Sequence, residues 1–268
     1  MVKSKTEILE EFGFTYKKSG VHTKRTMMSN DLRTLLEYIP EETASLEDYR
    51  RCIIEDNCLG KRSGVTRKLS ADYLANLYIL NKNILIFKAF YYFWKRDDSS
   101  HEQLCLLSSY VRDGVLRDSF DYIKNLPKGS ISVKKDYEEN INEQHPGRFS
   151  TGSIQSLVRN LLSTWKQSGH LEGRINKKRC KLSPTLGAVA FSAFLSFISG
   201  ERGIILFESE YFKLLECSRE RAIDLMIQAS NRGWLVFKQL REVVEISFPN
   251  LINNEDMELI REQNRPVN

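Results

Sequence analysis

Apolar positions along this chain recur mostly at three- to four-residue spacing, the period of amphipathic helices. Leu32, Leu35, Leu36 and Ile39 predict a short helix over 31–39, stopped by Pro40. Leu46, Tyr49, Ile53 and Ile54 predict a second over 45–57, and a third spans 69–80. The stretch 83–95 is dense in aromatic residues (Phe87, Phe90, Tyr91, Tyr92, Phe93, Trp94) and reads as core, with a base-stacking platform as the alternative. Helices over 101–111 and 115–123 follow.

Between 126 and 148 the pattern changes. Pro127, Gly129, Pro146, Gly147 and many charges predict a connection with some helix around 135–142, and a domain boundary near Phe149. Beyond it, Ser150 and Ser153 precede Ile154, Leu157, Val158, Leu161, Leu162 and Trp165, an amphipathic helix that Gly169 ends. A basic ribbon and the apolar helix 186–198 come next, then helices over 207–215 and 219–231. Strands at 236–238 and 243–246, joined through 239–242, close the pattern before Pro249. The expected fold is mainly α. An N-terminal extension (1–30) leads to a helical, helix-turn-helix-like domain (31–125), a connection (126–148) and a C-terminal domain (149–268). That last domain holds two winged-helix-like units with short β-hairpin wings.

Composition adds limits. The 268 residues are 41% hydrophobic and 28% charged, as in ordinary globular proteins, and the net charge of +5 is only mildly basic. Global charge therefore argues for no partner; local clustering has to. Five scattered cysteines without a Cys-x-x-Cys pair fit unpaired thiols in a reducing cytosol. The four histidines lack partners at metal-ligand spacing, so no metal is expected. The segment 1–18 is charged and lacks the apolar centre of a signal peptide. The longest apolar run, 186–198, falls short of the ~20 residues a bilayer-spanning helix needs and reads as a buried core helix.

Two clusters carry candidate chemistry. Between Gly60 and Leu69 stand Lys61, Arg62, Arg67 and Lys68 with no acid, and Ser63 and Thr66 between them are candidate helix N-caps. Cations, hydroxyls and unpaired N–H groups at a helix start suit phosphate; a solvated turn before a core helix is the alternative. The second cluster joins Ser150, Ser153, Gln155 and Arg159 at a helix start to Arg174, Lys177, Lys178, Arg179 and Lys181, five cations in eight residues. In a winged helix such a helix enters the major groove and the wing touches the backbone. A protein-interaction winged helix with a solvated hairpin is the alternative. The later helix pair is more acidic: Glu208, Glu210, Glu216, Glu220 and Asp224 offset Arg219, Arg221 and Arg232, which fits a structural or partner-binding unit. No nucleophile motif or glycine-rich phosphate loop is present, and carboxylate pairs such as Asp97-Asp98 and Glu138-Glu139 lie in polar surroundings. Neither an enzyme nor a bound cofactor is expected.

The block from Ile54-Glu55-Asp56-Asn57 to Lys61-Arg62-Ser63-x-x-Thr66-Arg67-Lys68 is similar to the most distinctive motif of the BrxA proteins of bacteriophage-exclusion (BREX) systems. Ala229-x-x-Arg232-Gly233-Trp234-Leu235, with a hairpin ending at Phe248-Pro249, resembles that family's C-terminal end. The resemblance spans roughly 32–249. It implies a small, largely helical, non-enzymatic accessory that binds double-stranded DNA through the block Lys61, Arg62, Arg67 and Lys68; a cytoplasmic location is expected from the cysteine usage. It also implies other BREX proteins as neighbours: a methyltransferase, an ATPase and a phosphatase-like component. No membrane and no small-molecule substrate are expected. A scaffold in the same defence complex, without DNA affinity, is the alternative.

Overall fold

The periodic stretches fold as helices, and several of them start at a side chain that caps the first turn. The computed structural model describes residues 3–16, 20–40 and 44–263. Positions 1–2, 17–19, 41–43 and 264–268 lie outside the described residues; they fall in the expected N-terminal extension, helical domain and C-terminal domain. In chain order the helices are α1 (Lys5–Phe12), α2 (Ser29–Tyr38), α3 (Leu46–Ile54), α4 (Gly64–Tyr78), α5 (Leu85–Trp94), α6 (His101–Arg112), α7 (Gly114–Asn125), α8 (Lys134–Gln144) and α9 (Thr151–Gln167). The hairpin β1 (Leu171–Glu172) and β2 (Lys178–Arg179) follows, then α10 (Leu186–Ile198), α11 (Glu210–Leu214) and α12 (Arg219–Asn231). The hairpin β3 (Val236–Leu240) and β4 (Val243–Ser247) and α13 (Asn254–Glu262) complete the chain. The protein is mainly helical, as its periodicity predicts. Ser45, Ser63, Ser150, Ser218 and Asn253 each accept the N–H three residues on and so start a helix.

Two units emerge, and the chain interleaves them. One comprises Met1–Thr15, Asn83–Leu107 and Ser183–Asn268; the other comprises Tyr16–Lys82 and Ser108–Leu182. The sequential order of domains expected from composition is not the order observed. Residues 126–148 are no linker, because α8 packs on α7 and α9 and buries Tyr137 and Ile141. Gly129 and Gly147, which looked like linker residues, are turn residues at φ +87° and +69°.

In the unit built from 16–82 and 108–182, α7, α8 and α9 share a core around Trp165. Its indole Nε1 donates to Tyr137 Oη at 3.0 Å, and Tyr137 stacks on Tyr122 with ring centroids 4.1 Å apart. A short extended segment between α7 and α8 pairs with β2: Arg179 N donates to Ser130 O, Gly129 N to Arg179 O and Ser132 N to Lys177 O. The order is thus helix, short strand, helix, long helix and hairpin, with the short strand on β2. α9 ends where Gly169 turns at φ +88° and His170 N bonds back to Trp165 O. In the same unit α3 packs on α4. The helix α4 begins at Gly64, not at 69, because Ser63 caps it; α3 ends at Ile54, short of 57.

In the other unit α10 is buried along its whole length, and Phe87, Phe90 and Phe93 of α5 are fully buried. The aromatic stretch is core, as its density predicts. Burial of α10 as far as its first turn demands a cap from elsewhere. Asp97 supplies it, accepting Gly187 N–H at 2.8 Å. α11 and α12 pack on α10, and β3–β4 follows α12. The predicted helix over 207–215 is a 3-10 turn (Gly203–Glu208) and then α11, and the hairpin is tighter than predicted, with strands paired up to Leu240↔Val243. The helix α13 carries no counterpart in the expected pattern.

Candidate nucleic-acid interface

All the predicted site residues lie in the unit formed by 16–82 and 108–182. The better-formed group gathers at the start of α9. Apolar residues at 154, 157, 158, 161, 162 and 165 bury one face of that helix, so Ser153, Gln155 and Arg159 point outward. The loop at 20–28 lies against the same helix, held there by a buried polar network. His22 Nδ1 lies 2.7 Å from Asp113 Oδ2, and its Nε2 2.9 Å from Thr164 Oγ1, with His22 and Asp113 side chains fully buried. Asp113 Oδ2 also accepts the backbone N–H of His22, and its Oδ1 accepts those of Val115 and Leu116, capping α7. Thr164 Oγ1 accepts Met27 N–H, and Asn160 donates to His22 O. A side chain at Gly20 would overlap the Asp113 carboxylate, so only glycine lets the loop pass so close. Burial alone would raise the pKa of Asp113. The His22 ring and the hydrogen bonds from His22 and Leu116 outweigh that and hold it below the usual range.

That clamp sets Thr23 and Lys24 beside α9. Together with Ser150, Gly152, Ser153, Ser156, Arg159 and Asn160 they line a polar depression of about 490 Å³ without a carboxylate in its wall. Arg159 is exposed and folded along its helix, with one guanidinium nitrogen 2.9 Å from Ser156 Oγ. Three predicted residues, Ser150, Ser153 and Arg159, are thereby brought together; Gln155 is exposed on α9 but is not in the wall. Sequence reasoning missed Lys24 and Asn160. The only signal was the charge of Lys24-Arg25, since their placement depends on contacts more than a hundred residues away.

The hairpin after α9 divides its five cations. Arg174, Lys178 and Lys181 are exposed. Arg179 is not: it is 2% exposed and donates to the carbonyls of Ile123, His170 and Cys180. Its predicted role in DNA contact is corrected, because a guanidinium locked on three carbonyls reaches no phosphate. Lys177 is half-buried and folds back, donating to Gly173 O at 3.1 Å and to Arg174 O. It fixes the turn.

The 61–68 block is also split. Lys61 pairs with Asp31 at 2.8 Å, and Arg67 donates to Ile54 O at 2.8 Å, tying α4 to α3. Arg62, Ser63 and Lys68 are exposed and Thr66 half-buried at the helix start. Two of the four cations therefore have partners within the fold, and none of the block lines the α9 depression. In the other unit, Arg219 at the start of α12 is paired with Glu208.

Among the described residues no group of three or more His, Cys, Asp or Glu is placed to hold a metal, and no helix is long and apolar enough to cross a membrane. The five cysteines are free thiols; burial, with a bond to Asp56, pushes Cys52 up to about 11. No protein-family model matches the chain, and no curated protein matches it.

Proposed function

We propose that the protein is a cytoplasmic, non-enzymatic accessory of a bacterial BREX phage-defence system that binds double-stranded DNA through α9 and the β1–β2 hairpin. The observation that carries this reading is the carboxylate-free depression at the start of α9, where Lys24 and Arg159 stand among hydroxyls and the helix N-terminus. Helix, short strand, helix, long helix and hairpin is the winged-helix order, and in that arrangement the long helix enters the major groove. The exposed Arg174, Lys178 and Lys181 fit phosphates on either side. The placement in a BREX system rests on the motifs at 54–68 and 229–249.

Fluorescence anisotropy of a short duplex, titrated at several salt concentrations, tests the reading. Affinity is expected to fall steeply with salt, by about 10³–10⁵ between roughly 50 and 200 mM if six to ten phosphates are engaged. The double variant Lys24→Ala/Arg159→Ala is expected to lower the log–log slope by about 2. No binding at low salt would overturn the reading.

A second reading, a scaffold that holds the methyltransferase, ATPase or phosphatase-like protein, draws on the other unit. Its β3–β4 tip exposes Leu240 and Val243 side by side, and Arg219 is neutralised by Glu208. Co-purification of such partners that survives high salt and is lost in Leu240→Asn/Val243→Asn would favour it.

A further inference from the structure

Ile175 is the most exposed large apolar side chain among the described residues, at 86%, and it stands at the tip of the β1–β2 hairpin. The tip is fixed by its own bonds. Gly173 turns at φ +93°, so close to the Asn176 carbonyl that an added Cβ would lie 2.2 Å from that oxygen. Lys177 Nζ then ties the carbonyls of Gly173 and Arg174 together from within the turn. An isoleucine is thus held outward on a braced loop instead of folding onto the protein.

The surroundings of this side chain are cationic. Arg174 precedes it, Lys178 follows on β2, and no acid lies between Gly173 and Arg179. The nearest in sequence, Glu172, is paired across the ladder with Lys178. Burial, with Lys166 at the end of α9 and Lys134 at the start of α8, pushes the pKa of Lys177 down. An apolar partner would gain nothing from such a field; a polyanion with an apolar interior would. Duplex DNA is that ligand, with phosphates outside and stacked bases within.

We infer that the β1–β2 tip enters the minor groove of duplex DNA and inserts Ile175 as a wedge at a base step. The inference rests on the DNA-binding reading above. With α9 in the major groove, the hairpin that follows it reaches the adjacent minor groove, where apolar wedges unstack a step and kink the duplex by about 20–90°. Arg174 and Lys178 engage the phosphates that flank the opened step. Flexible steps such as TA and CA/TG are the preferred targets.

The test uses the full chain and a duplex carrying 2-aminopurine at a central TA step, with a donor and acceptor dye at its ends. Binding of the wild type is expected to raise the 2-aminopurine emission and to shorten the end-to-end distance. Ile175→Asn is expected to bind roughly 10-fold or more weakly and to lose both signals, whereas Ile175→Leu keeps them. Because the side chain is exposed, thermal melting of both variants should match the wild type. An Ile175→Asn protein that still bends and unstacks the duplex overturns the wedge while leaving DNA binding intact. So does a wild type that binds without either signal. Absence of any duplex binding by the wild type at low salt overturns the DNA reading itself.

Discussion

Ile79 has a backbone that its side chain resists. It lies at φ +69°, ψ −47°, and Leu80 N bonds to Tyr78 O at 2.7 Å, a three-residue turn that is rare because its centre is strained. A β-branched residue there carries the larger penalty. Ile79→Gly and Ile79→Ala both shed the isoleucine side chain beyond Cβ but differ in tolerance of positive φ. The glycine variant is expected to be the more stable by about 1 kcal/mol, the reverse of their order in a helix; urea denaturation of the two proteins compares them. A single residue likewise decides what the hairpin cations do. Arg179 and Lys178 are neighbours in sequence, and nothing in their local pattern separates a buried brace from an exposed charge. The alternation of a strand says that they face opposite sides, but only the tertiary fold says which side is closed. Arg179→Ala leaves buried carbonyls unsatisfied and is expected to cost about 3 kcal/mol. Lys178→Ala is expected to cost less than about 0.5 kcal/mol, with its effect on duplex affinity instead. Thermal melts and titrations of both variants separate the two roles.

At the scale of elements, long amphipathic helices were the most legible. The helix α9 was readable from Ser150 to Gly169 because cap, apolar face and terminator agree. The helix α4 was readable only in part, since its first turns present Val65 and Leu69 outward among cations and break the apolar stripe. The helix α8 was blurred by its flanking prolines and glycines, although it completes the core around Trp165. Of the candidate site, the α9 residues were legible and the loop at 20–28 was not. That loop has no periodicity, and its position depends on His22, Asp113 and Thr164 meeting inside the fold. Asp113→Asn should therefore disturb an element far from it in sequence. It weakens the cap of α7 and the hold on His22 together, and is expected to cost about 3–5 kcal/mol. Duplex binding by whatever fraction stays folded is expected to weaken as well, because Lys24 is no longer pinned beside Arg159. Chemical denaturation followed by anisotropy reads both effects.

For the molecule as a whole, two carboxylates among the described residues that are drawn out of full solvent couple folding to pH, one in each unit, beside the surface Glu7, Asp48 and Glu220, which their caps also hold low. Burial pushes the pKa of Asp97 upward, but hydrogen bonds from Ser100, Ser99 and Gly187 N–H outweigh it; Asp113 is held low in the same manner by His22 and Leu116. A carboxylate depressed by folding stabilises the native state above its unfolded pKa, near 3.9, and loses that contribution as pH falls through the folded value. Stability should thus be level near neutrality and fall from about pH 5 downward. Removing either carboxylate should flatten the acid limb of a plot of melting temperature against pH.

Interleaving has a further consequence during synthesis. The apolar face of α1, with Ile8, Leu9 and Phe12 buried in the finished protein, belongs to the unit that also holds 83–107 and the residues from 183 on, and α1 packs on α13 (254–262). On a ribosome adding roughly 5–20 residues per second, those side chains leave the exit tunnel about ten to fifty seconds before α13. The 16–82 and 108–182 unit can close in the meantime, while α1 waits with its apolar side bare. A holding chaperone that covers the apolar face of α1 is expected to shield it until α13 emerges.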